Sequence, residues 1–424
     1  MENKIKTPPP SWYRWLILLI ISIPMFGNYY IYDSIAPIAD LLKKGLNFND
    51  EDIGSLYSVY SIAAIFILIV GGIIIDKIGT KKSIFLFGSI CTIAAIITAS
   101  SSALGIMLTG RVLLGIGAEP LIVAISVALA KWFKGKELGF AFGLNLTLAR
   151  LGSFAADNSP SWAGGFYTDW HGPLNLAVFI SIACIVGAVL YWILESNAQR
   201  RYTLGEATQT DKLVLKDIFR FDKSFWLILA LCVVFYSAIF PFRSFAIKYF
   251  MEGHGASREL AGFLNSALPL SAMIATPLFG LLVDKIGKRA SLMMLGSLLL
   301  MPVFLILGHT TLPIYIPVIM MGIAFSLIPA IMWPSVAYIV EEKKLGTAYS
   351  VMFLIQQIGV ALFNYLIGFA NDISKAGADN PDGYLLGLYF LSILGILGFI
   401  FAYFLRRVDK SPLGHGLEKI IKKD

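Results

Sequence analysis

Charge is what this sequence has least of. Asp, Glu, Lys and Arg make up 14% of its 424 residues, against roughly a quarter in a soluble protein of ordinary composition. Hydrophobic residues make up 57% and mean hydropathy is +0.75. Apolar runs of about 20 residues recur along the chain, each long enough to cross a hydrocarbon core of about 30 Å. A soluble fold is excluded, and the chain reads as a polytopic membrane protein. Cysteine is nearly missing too. Cys91, Cys184 and Cys232 all sit inside apolar runs, where a thiol acts as a small packing residue, so no disulfide framework staples the loops. No Walker-type lysine motif is present, which excludes ATP hydrolysis by this chain. His171, His254, His309 and His415 fall in loops or tail without metal-ligand spacing. Neither an enzyme, a cofactor nor a metal is expected. The one glycosylation triplet, Asn145-Leu-Thr147, lies in an apolar run and is not expected to carry a glycan. The first apolar run is too long, and too lacking in a cleavage site, to be a signal peptide.

What is present is regular. Twelve spans are predicted, at 13–36, 54–75, 83–102, 105–130, 138–159, 174–195, 225–250, 260–283, 290–308, 313–339, 346–370 and 385–406. The polar stretch between the sixth and the seventh divides the chain into a six-helix bundle at 1–195, a linker at 196–224 and a second bundle with a short tail at 225–424. The fold class expected is an all-α membrane protein of twelve transmembrane helices in two pseudo-symmetric halves. The net charge of +7 does not point to nucleic acid, because the basic residues gather in alternate short loops. Lys4, Lys6, Lys77, Lys81, Lys82, Lys131, Lys134, Lys136, Lys212, Lys216, Lys285, Lys288, Arg289, Arg406, Arg407, Lys422 and Lys423 fall on one side. The other side has only Lys43, Lys44, Arg258 and Lys375. That asymmetry assigns both termini to the cytoplasm.

The halves repeat. Gly54–Ser83 matches Gly262–Ser291 at an offset of 208 residues, and Lys136-Glu-Leu-Gly139 echoes Lys343-Lys-Leu-Gly346 at 207. Paired six-span halves place a substrate site at their interface near the midplane. Two ionisable residues lie deep in apolar sequence: Glu119, midway along the fourth span, and Arg150, about 12 residues or about 18 Å into the fifth. Such groups are costly in a membrane and read as functional, with a partner to be named. Either they pair permanently, or they split, Arg150 taking a substrate carboxylate through its planar fork and Glu119 a substrate amine. In the second half the corresponding positions are near Ser326 and Gln357, both neutral. That half offers Asn265, Ser266, Trp333, Gln356 and Gln357 instead. Trp333 precedes Pro334, which bends the helix, and its indole is placed to cover a substrate or to pack. Tyr29 and Tyr30 are candidate cavity residues ahead of Asp33. Arg111 reads as structural. Arg243 and Lys248 either line a vestibule as part of a gate or snorkel to the interface.

The element Gly-x-x-x-Asp-Lys-x-Gly-x-Lys/Arg-Lys/Arg occurs twice, around Asp76 and Asp284, and resembles the signature loop of the major facilitator superfamily. Asp76 and Asp284 are expected to latch a gate, or only to cap and orient the loops. Further stretches resemble one family within it, the lysosomal dipeptide transporters called major facilitator superfamily domain-containing protein 1. They are Asn28-Tyr-Tyr-Ile-Tyr-Asp33, Arg111-Val-Leu-Leu-Gly-Ile-Gly-Ala-Glu119, Lys131-Trp-Phe-Lys-Gly-Lys-Glu-Leu138, Ala149-Arg-Leu-Gly-Ser153, Phe240-Pro-Phe242, Trp333-Pro-Ser-Val-Ala-Tyr338 and Leu345-Gly-Thr-Ala-Tyr349. The resemblance implies alternating-access uniport of dipeptides or similar small zwitterions, with Glu119, Arg150 and Trp333 at the substrate. Pro120 departs from the serine of the animal proteins. The acidic-arginine motif of proton-coupled peptide transporters is missing from the first span, and the fifth span lacks the Gly-Pro-Gly-Gly antiporter element. A proton symporter, a multidrug or organic-ion antiporter and a non-transporting nutrient receptor are the competing readings. The partners expected are a small-molecule substrate and the lipid bilayer, not nucleic acid. A monomer is expected, and an accessory subunit is left open. The expected location is a bacterial inner membrane, or a lysosomal membrane if the source is eukaryotic.

Overall fold

In a bilayer every backbone N–H and C=O must be satisfied within the protein, so long apolar runs become helices. A computed structural model of the chain, describing residues 8–133, 137–204, 218, 220–412 and 414–419, has twelve helices long and apolar enough to cross a membrane. We number them α1 (Ser11–Asp33), α2 (Asp50–Ile78), α3 (Thr80–Ala99), α4 (Leu104–Phe133), α5 (Leu138–Asp157), α6 (His171–Arg201), α7 (Lys223–His254) and α8 (Arg258–Ile286). After these come α9 (Arg289–His309), α10 (Tyr315–Ile339), α11 (Leu345–Ile373) and α12 (Leu385–Asp409). Each predicted span falls on one of them. The helices mostly run further than the apolar runs because polar residues continue their ends, as α6 does to Arg201. α9 is broken between Leu300 and Val303, where Pro302 lacks an N–H to donate.

Of the linker expected at 196–224, residues 196–201 continue α6 and α7 begins at Lys223, while 205–217 and 219 lie outside the described residues. Lys4, Lys6, Lys134, Lys136, Lys212, Lys216, Lys422 and Lys423 lie outside them as well.

The sequence repeat has a backbone counterpart. α2 and α8 both stop at a glycine with positive φ, Gly79 (+79°) and Gly287 (+64°), a conformation in which a side chain would be strained. Upstream, a short helix Ala39–Leu46 ends on Asn47 and α7 ends on Gly255, both left-handed and again 208 residues apart. Two residues on, the Asn49 and Ser257 side chains each accept from the N–H three positions later, which is how a helix N-terminus is capped.

By its contacts the chain forms two compact units. The first holds residues 1–34, 62–156 and 166–210, and the second 35–61, 157–165 and 211–424. Close helix approach in the first unit depends on small residues, as it does in membranes generally. A Cβ on Gly110 would lie 2.3 Å from Thr98 Oγ1, and one on Gly117 would lie 2.9 Å from Cys91 Sγ. These contacts press α4 onto α3. Gly27 and Gly187 do the same for α1 and α6, against Cys184 and Pro24 respectively. All three thiols are free and buried. The Lys131-Trp-Phe motif also becomes legible here: Lys131 Nζ lies 2.5 Å from buried Glu195 of α6, whose other carboxylate oxygen faces Thr80 of α3 at 3.4 Å. In the second unit α7 is the central helix, with α11, α12 and α8 packed along it and two-thirds of its length buried.

Candidate functional site

In the first unit the site is built on α1, α4 and α5. α5 meets α1 at two points. Asn145 Nδ2 donates to Ser22 Oγ at 2.8 Å, and a Cβ at Gly152 would lie 2.2 Å from the Phe26 carbonyl. The second contact brings α5 down to the backbone of α1 two residues beyond Arg150. The Arg150 guanidinium then lies 5.7 Å from the centroid of the Tyr29 ring, within the range of a cation–π contact. Glu119 is buried, and it and Asp33 both lie within electrostatic reach of Tyr29. The arginine therefore stands against the first tyrosine named from the sequence, and the buried glutamate lies within electrostatic reach of that tyrosine. Tyr30 is buried in the core at 1% exposure.

Arg111 sets the end of α1. Its two guanidinium nitrogens donate to the carbonyls of Ile31 and Tyr32, each at 3.1 Å, and its carbon lies 5.4 Å from the Tyr32 ring. A cation on the last carbonyls of a helix also complements its dipole. The structural reading of Arg111 matches this placement, and it acts on the segment that carries Tyr29 and Asp33. Pro120, next to Glu119, is accommodated by the glycine just ahead of the signature element. A Cβ on Gly71 would lie 2.8 Å from the proline ring.

In the second unit Trp333 Nε1 donates to Tyr236 OH at 3.0 Å, and Tyr349 OH donates to the Trp333 carbonyl at 3.2 Å. Tyr236 stacks on Phe240 with centroids 5.5 Å apart. Trp333 is therefore held in an aromatic cluster of α7, α10 and α11 and keeps partial exposure. Gln356 and Gln357 are buried, and Gln356 meets Cys232 Sγ at 3.5 Å. Asn265 lies elsewhere, donating to Asp157 Oδ1 at 2.8 Å.

Neither Arg243 nor Lys248 snorkels. They are 3% and 1% exposed, and each has a carboxylate. Arg243 Nη2 lies 2.8 Å from Asp157 Oδ2, and Lys248 Nζ lies 2.6 Å from Asp50 Oδ2. Asp50 and Asp157 carried no signal in the sequence, because each sits at a helix end, where an acidic residue is ordinary. Of the two signature aspartates, Asp284 is exposed and meets Arg289 at 3.1 Å. Asp76 is exposed as well.

A family model described as the Major Facilitator Superfamily matches residues 18–246 and 242–421. The chain is 31% identical over 406 residues to the lysosomal dipeptide transporter MFSD1 of Danio rerio, covering 92% of this chain and 86% of that protein. It is 30% identical over 419 residues to the human MFSD1, covering 95% and 88%. Among solved structures it is similar to a bacterial homolog of the human lysosomal transporter Spinster in an inward-facing, unoccupied conformation. The TM-score there is 0.75 at 18% identity, over 94% of this chain and 98% of that one. The nucleoside transporter NupG gives 0.71 at 16%, over 91% and 98%. At such identities the two solved structures speak to the fold alone.

Proposed function

This chain belongs to the Major Facilitator Superfamily and is a transporter, not an enzyme; on that premise we propose that it carries dipeptides or similar small zwitterions by alternating access, as a uniporter. The observation that carries the reading is Arg150 set against the Tyr29 ring inside the first unit, with buried Glu119 within electrostatic reach of the same tyrosine. It is supported by the similarity to proteins named as dipeptide transporters. A dipeptide presents one carboxylate and one ammonium. Arg150 is suited to the first because a guanidinium matches a carboxylate with two parallel hydrogen bonds, and Glu119 to the second. Tyr29 holds the guanidinium from its ring face. Trp333 is proposed separately as an aromatic surface for the substrate, which its partial exposure permits, and Gln357 as a neutral polar contact. Asp76 and Asp284 are proposed to restrain the signature loops during the cycle. The lysine and arginine distribution supports cytoplasmic termini, and a bacterial inner membrane is proposed as the location, with the protein acting as a monomer.

Purified protein in proteoliposomes tests this reading. Uptake of a labelled dipeptide is expected without an imposed proton gradient, and blocking either peptide terminus is expected to abolish it. Arg150→Lys keeps the charge but loses the fork, so uptake is expected to fall by at least about tenfold. Glu119→Gln is expected to do the same. Normal transport by both variants would sink the assignment, and uptake that needs a proton gradient would replace uniport with symport.

A further inference from the structure

Among its described residues the second unit contains three ion pairs with buried acids, in each of which the acid comes from the first sequence repeat and the base from the second. They are Asp40–Arg258, Asp50–Lys248 and Asp157–Arg243. Arg258 holds Asp40 bidentately, at 2.6 and 2.7 Å, and also donates to the Pro37 carbonyl at 2.7 Å. Lys248 Nζ reaches both oxygens of Asp50, at 2.8 and 2.6 Å. Asp157 takes Arg243 on one oxygen and Asn265 on the other. All three acids are under 5% exposed.

Two of these pairs are images of each other. Under the 208-residue offset Asp50 becomes Arg258 and Asp40 becomes Lys248. The pair Asp50–Lys248 therefore maps onto Arg258–Asp40 with its polarity reversed. The register is independently fixed, because Asn47 and Gly255, the left-handed caps between these residues, obey the same offset. The helix crossings beside the pairs repeat as well. A Cβ on Gly54 would lie 2.3 Å from the Asn364 carbonyl, and one on Gly262 would lie 2.1 Å from the Asp157 carbonyl. Gly54 and Gly262 are equivalent at 208, and Asp157 and Asn364 at 207. At both crossings the helices meet backbone to backbone. Across the first, Ser58 Oγ donates to the Ala361 carbonyl at 2.7 Å, and Asp372 of α11 accepts the N–H groups of Asp50 and Glu51.

With twelve spans, the start of α2, the end of α5, the end of α7, the start of α8 and the end of α11 all lie on the membrane side opposite the termini. We propose that the three cross-repeat pairs form a latch that keeps this side of the carrier shut, and that they must separate in each transport cycle. The six charged residues are thus positioning residues for transport, whatever its substrate. Burying ions costs solvation that their mutual attraction roughly returns, so such pairs hold a face closed without making it permanent. Placing these acids on one repeat and these bases on the other favours pairing between the repeats. Lys43 at 3.1 Å from Asp50, Lys44 at 3.6 Å from Asp40 and Glu252 at 3.5 Å from Lys248 are the auxiliary charges.

A cysteine at position 58 reads the latch. Ser58 is buried against α11, so in detergent-purified Ser58→Cys a polar maleimide is expected to react slowly. Arg258→Gln or Lys248→Gln weakens only the closed state, because in the open one the released acid is hydrated. Labelling is then expected to speed up by about tenfold or more. The double reversal Asp40→Arg with Arg258→Asp restores the pair and is expected to restore protection. The same backgrounds without Ser58→Cys carry only buried Cys91, Cys184 and Cys232, and their continued silence excludes unfolding as the source of signal. Unchanged labelling in the single variants, or a double reversal that labels as fast as Arg258→Gln, overturns the proposal.

Discussion

Arg111 and Lys131 each have a partner that suits the shape of the cation. Arg111 spreads its fork over two carbonyls at the end of α1, where an ammonium would reach one of them at a time. Arg111→Lys is therefore expected to loosen the Tyr29–Asp33 segment and to lower transport while leaving expression intact, checked by uptake beside a melting curve. Lys131 and Glu195 are different, a compact pair, 13% and 1% exposed at the side chain, joining α4 to α6. Lys131→Met leaves Glu195 buried without its cation, and the loss is expected to be about 3–5 kcal/mol, while Lys131→Met with Glu195→Leu costs much less. Thermal melting of the three proteins decides, and equal melting temperatures for the single and the double variant would contradict it.

At the scale of elements, glycines set how close the helices come. Gly152 allows α5 to touch the carbonyl of Phe26 on α1, whereas a Cβ on Gly143, in the same helix, would meet nothing within 4 Å. Gly152→Ala must push α5 from α1 and carry Arg150 away from Tyr29, so a loss of about 1–3 kcal/mol is expected, with weakened uptake. Gly143→Ala is expected to stabilise by up to about 1 kcal/mol, the helix propensity difference. Differential scanning calorimetry on both variants checks the contrast. α2 depends on α11 in another way, since the Asp372 carboxylate accepts its first N–H groups at 2.9 and 2.6 Å. Asp372→Ala removes that cap from α2 and is expected to cost about 0.5–2 kcal/mol, read in the same calorimeter.

For the whole molecule, the substrate proposal predicts that a ligand binding the folded state raises its stability by mass action. The rise is about 2.7 kcal/mol at a hundredfold excess over Kd. Dipeptides with both termini unblocked are expected to raise the melting temperature in a thermal-shift screen, and the effect is expected to vanish in Arg150→Lys. A screen in which only sugars or nucleosides shift the curve would reject the zwitterion reading.

The helices and the repeat were legible in the sequence because they rest on short-range properties. Hydropathy over about 20 residues defines a span. The stops at Gly79 and Gly287 follow from a backbone conformation that one residue type tolerates best. The rarity of charge within spans made Glu119 and Arg150 conspicuous for the same reason. Asp50, Asp157 and Asp40 were illegible, since a carboxylate at a helix end is unremarkable until its partner is known. Those partners are 198, 86 and 218 residues away. Arg243 and Lys248 could have reached toward water from the end of α7, and nothing in their neighbours along the chain forbade it. Residue order alone sets the twelve spans, the two repeats and the isolated charges of the first half. Which acid each base meets is set by the packed helices, because ion pairing depends on distances in space that the order of residues does not contain.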